Sequence, residues 1–117
     1  MSARLLALIA AASSAAILAG CVSDGGAASA EAAKAKAAAR GLAYAREACA
    51  SCHAVEPGQA SSPNPASPSF DSLAGRPDMT RPALSALLRS PHRNMPALIV
   101  EPDRIDDLAA YLAELGA

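Results

Sequence analysis

The chain has 117 residues, room for one small domain, and its 52% hydrophobic content overstates the core because alanine alone fills 32 positions. A formal net charge of −1 with 18% charged residues gives no basic footprint for nucleic acid, and these residues cannot hold a multidomain enzyme. Three cysteines build no disulfide framework, and with no Trp, one Phe and two Tyr the sequence leaves open what fills the interior.

Taken in chain order, Met1 to Arg4 carry one positive charge, and Leu5 to Ala19 carry none. That layout is a secretory signal. As a helix the apolar run of about 15 residues would reach about 22 Å, short of the roughly 30 Å hydrocarbon core of a bilayer. It ends in Leu18-Ala19-Gly20-Cys21, which resembles the lipobox of bacterial lipoproteins. The resemblance implies cleavage before Cys21, a thioether from Cys21 to diacylglycerol, and acylation of the new amino terminus. An ordinary signal cut after Ala28 or Ala30 is the alternative. Several acyl chains on one residue exceed the two signals that stable anchoring needs. Val22 stands where Asp would retain some lipoproteins at the inner membrane, so the outer membrane is favoured and the inner one stays open.

The expected organisation is therefore a lipoprotein signal peptide over 1–20, a lipid-anchored Ala-rich tether and spacer over 21–38, and a folded domain over 39–117. Val22 to Ser29 read as a flexible tether, and Glu31 to Arg40 as a spacer helix of high intrinsic propensity. Lys34 and Lys36 read as solvated residues of that spacer.

Cys49-Ala50-Ser51-Cys52-His53 carries the chemistry. Two thiols three residues apart with a His directly after them form the attachment pattern of a c-type haem. Both sulfurs must reach the two vinyl groups on one edge of a porphyrin while the adjacent imidazole swings under the iron. A thioredoxin-like pair would want a βαβ context, yet no strand-like run precedes Cys49. A zinc site would want a second ligand pair, and the remaining candidates are His92 and Cys21.

With Gly41-Leu42-Ala43-Tyr44 one helical stretch ahead of CASCH, residues 38–117 resemble the class I monohaem c-type cytochromes. The resemblance implies an all-α fold whose N- and C-terminal helices cross, with proline-rich loops and a short middle helix enclosing one covalent haem c. It implies thioethers at Cys49 and Cys52, and His53 as the proximal axial ligand. Haem would also supply missing apolar mass, since only 18 large apolar residues lie from Leu42 to Leu115 and so small a core needs a staple.

All nine prolines fall between Pro57 and Pro102, which predicts loops broken by one helix at about Pro82–Arg89, with Leu84, Leu87 and Leu88 on one face. The distal ligand candidates are Met79, Met95 and His92. Met95-Pro96 resembles the Met-Pro loop of the family and is preferred. Met79 reads as a gap-filler and His92 as an exposed or haem-edge residue. In the family a Pro carbonyl holds the proximal imidazole. Pro68 is the best match, with Pro63 and Pro65 as rivals, and Phe70 is expected to pack on the haem. After Pro102 a last helix carries Ile105, Leu108, Leu112 and Leu115 as its apolar stripe and stops at Gly116, with Tyr111 expected to pack on Tyr44 and Gly41.

The function expected is electron transport by a membrane-tethered periplasmic carrier with His/Met-ligated haem iron. It is not an enzyme, acts as a monomer, and exchanges electrons with redox protein partners. A haem-bearing accessory subunit or sensor is the alternative, with a peroxidase-like enzyme behind it.

Overall fold

The computed structural model describes residues 23–90 and 95–117. The signal segment, Cys21 and His92 lie outside them. The chain divides into two compact units, residues 1–31 and 32–117. Of the first, residues 23–31 are described, and they are helical. The described residues are all-α, with no strand beyond a single bridge position at Met95. No described helix is long and apolar enough to cross a membrane.

Helix α1 runs Ser23–Ala48. The flexible stretch expected from Val22 to Ser29 is thus helical from Ser23 on. Ala27, Ala28 and Ala30 outweigh Gly25 and Gly26, each of which costs about 1 kcal/mol against Ala. The Ser29 hydroxyl also donates to the Gly26 carbonyl at 2.9 Å. Within 32–117, Ala38, Gly41 and Ala45 are buried at helical spacing. That face is made almost entirely of small residues, so another backbone can come close.

The backbone that comes close is α4, Pro102–Leu115. Pro102 sits in the first turn, where its missing N–H leaves no bond unmade, and Asp103 complements the helix dipole. Gly116 caps the end, its N–H donating to the Leu112 carbonyl at 3.1 Å. Ile105, Leu108, Tyr111 and Leu112 are buried and Leu115 half-buried. A Cβ added at Gly41 would overlap the Asp107 carbonyl, lying 2.6 Å from its carbon and 2.8 Å from Tyr111 Cβ. Beside this contact the Arg40 guanidinium forks onto Asp107, Nε and Nη2 donating at 2.9 and 2.6 Å. Arg40 therefore holds the Asp107 carboxyl below its ordinary range.

Two short helices complete the unit. Helix α2, Phe70–Ala74, is one the proline-rich reading took for loop. Ser69 caps it by accepting from Ser72 N, and Phe70 and Leu73 are buried three residues apart on one face. Helix α3, Arg81–Arg89, starts one residue before the expected Pro82 because the Thr80 side chain caps it from Ala83 N. Leu84 and Leu88 are buried and Leu87 half-buried. Tyr111 packs on Gly41 as expected, while the two tyrosines take different polar partners. Tyr44 lies under the Arg104 guanidinium, 5.6 Å from the ring centre. Tyr111 reaches inward instead, donating its hydroxyl to the Val55 carbonyl at 2.5 Å.

Because backbone atoms of α4 occupy the space, Gly41→Ala is expected to cost about 1–3 kcal/mol, as overpacked sites do. Thermal melting should show a Tm lowered by several degrees. Gly25→Ala, with nothing within 4 Å of the added Cβ, should leave Tm unchanged or raise it.

Candidate functional site

The motif sits where α1 ends. Cys49 N and Ala50 N both donate to the Ala45 carbonyl, at 2.9 and 3.1 Å. Cys52 N and His53 N then donate to the Cys49 carbonyl, at 3.1 and 2.9 Å. This tight turn brings Cys49, Cys52 and His53 to the wall of one cleft. Both cysteines are free, Cys49 buried and Cys52 half-buried. Burial pushes the Cys49 thiol up from its ordinary pKa, so it is held in the neutral form.

The chain after the motif folds back on it. Asn64 N donates to the Cys52 carbonyl at 3.1 Å, and Phe70 N to the Ala54 carbonyl at 2.8 Å. Ala54 N is taken by the Ser62 hydroxyl at 2.9 Å, and Val55 N by the Gln59 side-chain carbonyl at 3.1 Å. Gly58 has φ +67°, a left-handed turn that other residues resist. The result places Pro68 beside His53, whose Nδ1 lies 2.7 Å from the Pro68 carbonyl oxygen. A carbonyl only accepts, so Nδ1 carries the proton and Nε2 keeps its lone pair for a metal. Phe70 meets the same imidazole edge-on, centroids 5.9 Å apart at 67°. Pro63 and Pro65 are exposed and make no such contact among the bonds described.

The rest of the lining is largely apolar. Leu84, Leu87 and Leu88 of α3, Leu108 and Leu112 of α4, and Met95, Pro96 and Leu98 line a cleft of about 300 Å³ together with Cys49, Cys52, His53 and Phe70. Met79 is half-buried and lines a separate hollow with Ala74, Thr80, Leu84, Leu112 and Gly116. The structure thus brings Met95 to the cleft that His53 faces, and Met79 to another. Among the described residues no three His, Cys, Asp or Glu side chains converge, so the two thiols find no zinc-type partners. Two free thiols, an imidazole, a thioether and largely apolar walls are a donor set and surroundings that fit a covalent porphyrin.

Sequence reasoning missed two features of this site. Leu73 lines the cleft from α2, and the Phe70–Leu73 spacing was its signal. Arg76 lines it from the turn after α2, and no sequence pattern set that residue apart.

Two comparisons with known proteins bear on the chain. The family described as cytochrome C oxidase, cbb3-type, subunit III matches residues 36–112. Cytochrome c-552 of Bradyrhizobium diazoefficiens is 42% identical over 67 residues, which cover 57% of this chain and 64% of that protein. The chain therefore spans less than two thirds of this relative's length. No solved structure matches.

Replacing Cys49 or Cys52 with Ala removes one of the two thiols on the cleft wall. Each variant should keep at most one thioether, shift the alkaline pyridine haemochrome band of the attached haem, and melt below wild type. In the double variant, acid-acetone should extract any haem that remains.

Proposed function

The chain belongs to the cytochrome C oxidase, cbb3-type, subunit III family, and from that premise we propose that it is a lipid-anchored periplasmic electron carrier with His/Met-ligated haem. As a member it carries covalently bound haem c and is an electron-transfer haem protein, and the proposal takes it to be a carrier rather than an enzyme. When bound, the haem supplies a one-electron iron couple.

The chain's own residues do the rest. Cys49 and Cys52 hold the ring edge. His53 offers Nε2 as the proximal ligand, kept in the required tautomer by the Pro68 carbonyl. Met95 offers its thioether as the distal ligand, its backbone kept extended by Pro96. The Leu side chains of α3 and α4 keep water from the ring. The observation that carries this reading is that His53 and Met95 line one cleft with both thiols, while Met79 lines another.

The family's description as an oxidase subunit favours a second reading, a haem-bearing subunit of an oxidase assembly. Stable co-purification with a membrane oxidase would support that reading, and a free monomer would support the carrier with exchangeable redox partners.

Met95→Ala should open the sixth position, lower the reduction potential and let carbon monoxide bind the ferrous form. Met79→Ala should leave spectrum and potential unchanged and cost up to a few kcal/mol of packing. Rapid carbon monoxide binding by wild type would overturn His/Met ligation.

The anchor rests on Leu18-Ala19-Gly20-Cys21. Cys21→Ala should leave unprocessed precursor or soluble protein, with haem attachment intact. Mass spectrometry of the wild-type mature chain should find acyl groups on Cys21, and a soluble, unacylated chain would rule the anchor out.

A further inference from the structure

On the haem-carrier reading above, we propose that Tyr111 is a positioning residue for the proximal imidazole. From the last helix it fixes the plane of the His53 ring and the reach of Nδ1 to Pro68.

An imidazole turns about its side-chain bonds, so one hydrogen bond at Nδ1 leaves its plane underdetermined. Two contacts share the task in this chain. The Pro68 carbonyl oxygen lies 2.7 Å from Nδ1, and the Phe70 ring meets the imidazole edge-on with centroids 5.9 Å apart. Both come from the segment that folds back on the motif, so the ring is only as steady as the match between that segment and the backbone after His53. Next to the ring, Phe70 N joins the two by donating to the Ala54 carbonyl at 2.8 Å.

Tyr111 joins them a second time, from a different element. Its hydroxyl donates to the Val55 carbonyl, two residues after His53, at 2.5 Å. Its ring lies 6.3 Å from that of Phe70, two residues after Pro68, with the planes at 41°. One side chain thus touches both arms of the His53–Pro68 pair at the same step beyond it. Packing alone would need the ring and not the hydroxyl.

Burial makes the hydroxyl bond hard to replace. Tyr111 and Val55 are 4% and 2% exposed, and among the described residues no other donor meets the Val55 carbonyl. A buried carbonyl that loses its donor is costly, so the backbone beside His53 would shift to find another. Tyr111 itself has little room to drift, because its Cβ stands 2.8 Å from where a Gly41 Cβ would be. The helix crossing that places the motif therefore also steadies the imidazole, through Tyr111. Partners outside the ligand shell orient a metal-binding imidazole in this way and tune its basicity.

The experiment uses haem-loaded wild type and Tyr111→Phe, which keeps the ring on Phe70 and removes the hydroxyl. Leu115→Ala, on the same helix but outside the cleft lining, is the control. Two readouts are taken: the ferric EPR g values, which follow the ligand plane, and solvent exchange of the His53 Nδ1 proton by NMR, which follows the Pro68 bond. Tyr111→Phe should shift the g values and quicken the exchange several-fold. Leu115→Ala should lower Tm and leave both readouts at their wild-type values. If either readout stays put in Tyr111→Phe, the proposal is overturned and Tyr111 is a packing residue, whatever its Tm does. An equal change in Leu115→Ala would overturn it too. If Tyr111→Phe fails to mature, 3-fluorotyrosine incorporated into Tyr44→Phe, where Tyr111 is the remaining tyrosine, decides. The stronger donor should slow the exchange relative to Tyr44→Phe with ordinary tyrosine, and an unchanged rate overturns the proposal. A wild type without covalent haem would overturn the carrier reading itself, and is seen before any variant is made.

Discussion

The close passage of α1 over α4 at Gly41 is the constraint on which the rest depends. With no side chain at Gly41 and only alanines at positions 38 and 45, the two backbones meet almost directly. That contact fixes where α1 ends, and so where Cys49, Cys52 and His53 emerge. It also fixes the direction of α4, which sends Leu108 and Leu112 to the cleft and Tyr111 to the Val55 carbonyl. Arg40 on Asp107 keeps the crossing from sliding, because a forked pair has one good register. A buried tyrosine hydroxyl needs a partner, and by taking Val55 it ties the last helix to the segment that follows the motif.

The segment from Ala54 to Ser69 has no regular structure, yet most of its described anchors are specific. Ser62, Gln59 and Asn64 each satisfy or use a backbone group near the motif. These bonds do the work a sheet would do elsewhere, and they end by setting Pro68 against His53. Prolines suit such a loop because they remove donors that would otherwise need partners.

Much of this was legible in the sequence, for reasons that differ by element. The last helix could be placed because a Pro start, a four-residue apolar rhythm and a Gly stop agree with one another. The motif could be read because its chemistry depends on spacing within five residues. The helix Phe70–Ala74 was hidden because it is barely more than a turn, held by a Ser69 cap and by burial of Phe70 and Leu73. The helical start at Ser23 was hidden because two glycines read as a tether, while the alanines around them favour helix. The polar partners of the two tyrosines were hidden for a tertiary reason. Tyr44 found a cation in Arg104 and Tyr111 a carbonyl across the unit, and neither partner is close in sequence.

The walls of the cleft also bear on which oxidation state the protein favours. A haem held by an imidazole and a thioether has two neutral axial ligands, so the iron and ring carry a net positive charge when ferric and none when ferrous. The Pro68 carbonyl accepts from His53 Nδ1 and adds electron density that favours the ferric state. The leucines of α3 and α4 act the other way, because apolar surroundings disfavour the charged form. Arg76 lines the same cleft with its charge met by the Asp78 carboxylate. The apolar wall thus raises the potential and the hydrogen bond lowers it. On the His/Met reading the potential is set between these opposing walls, as suits a carrier that accepts one electron and passes it on.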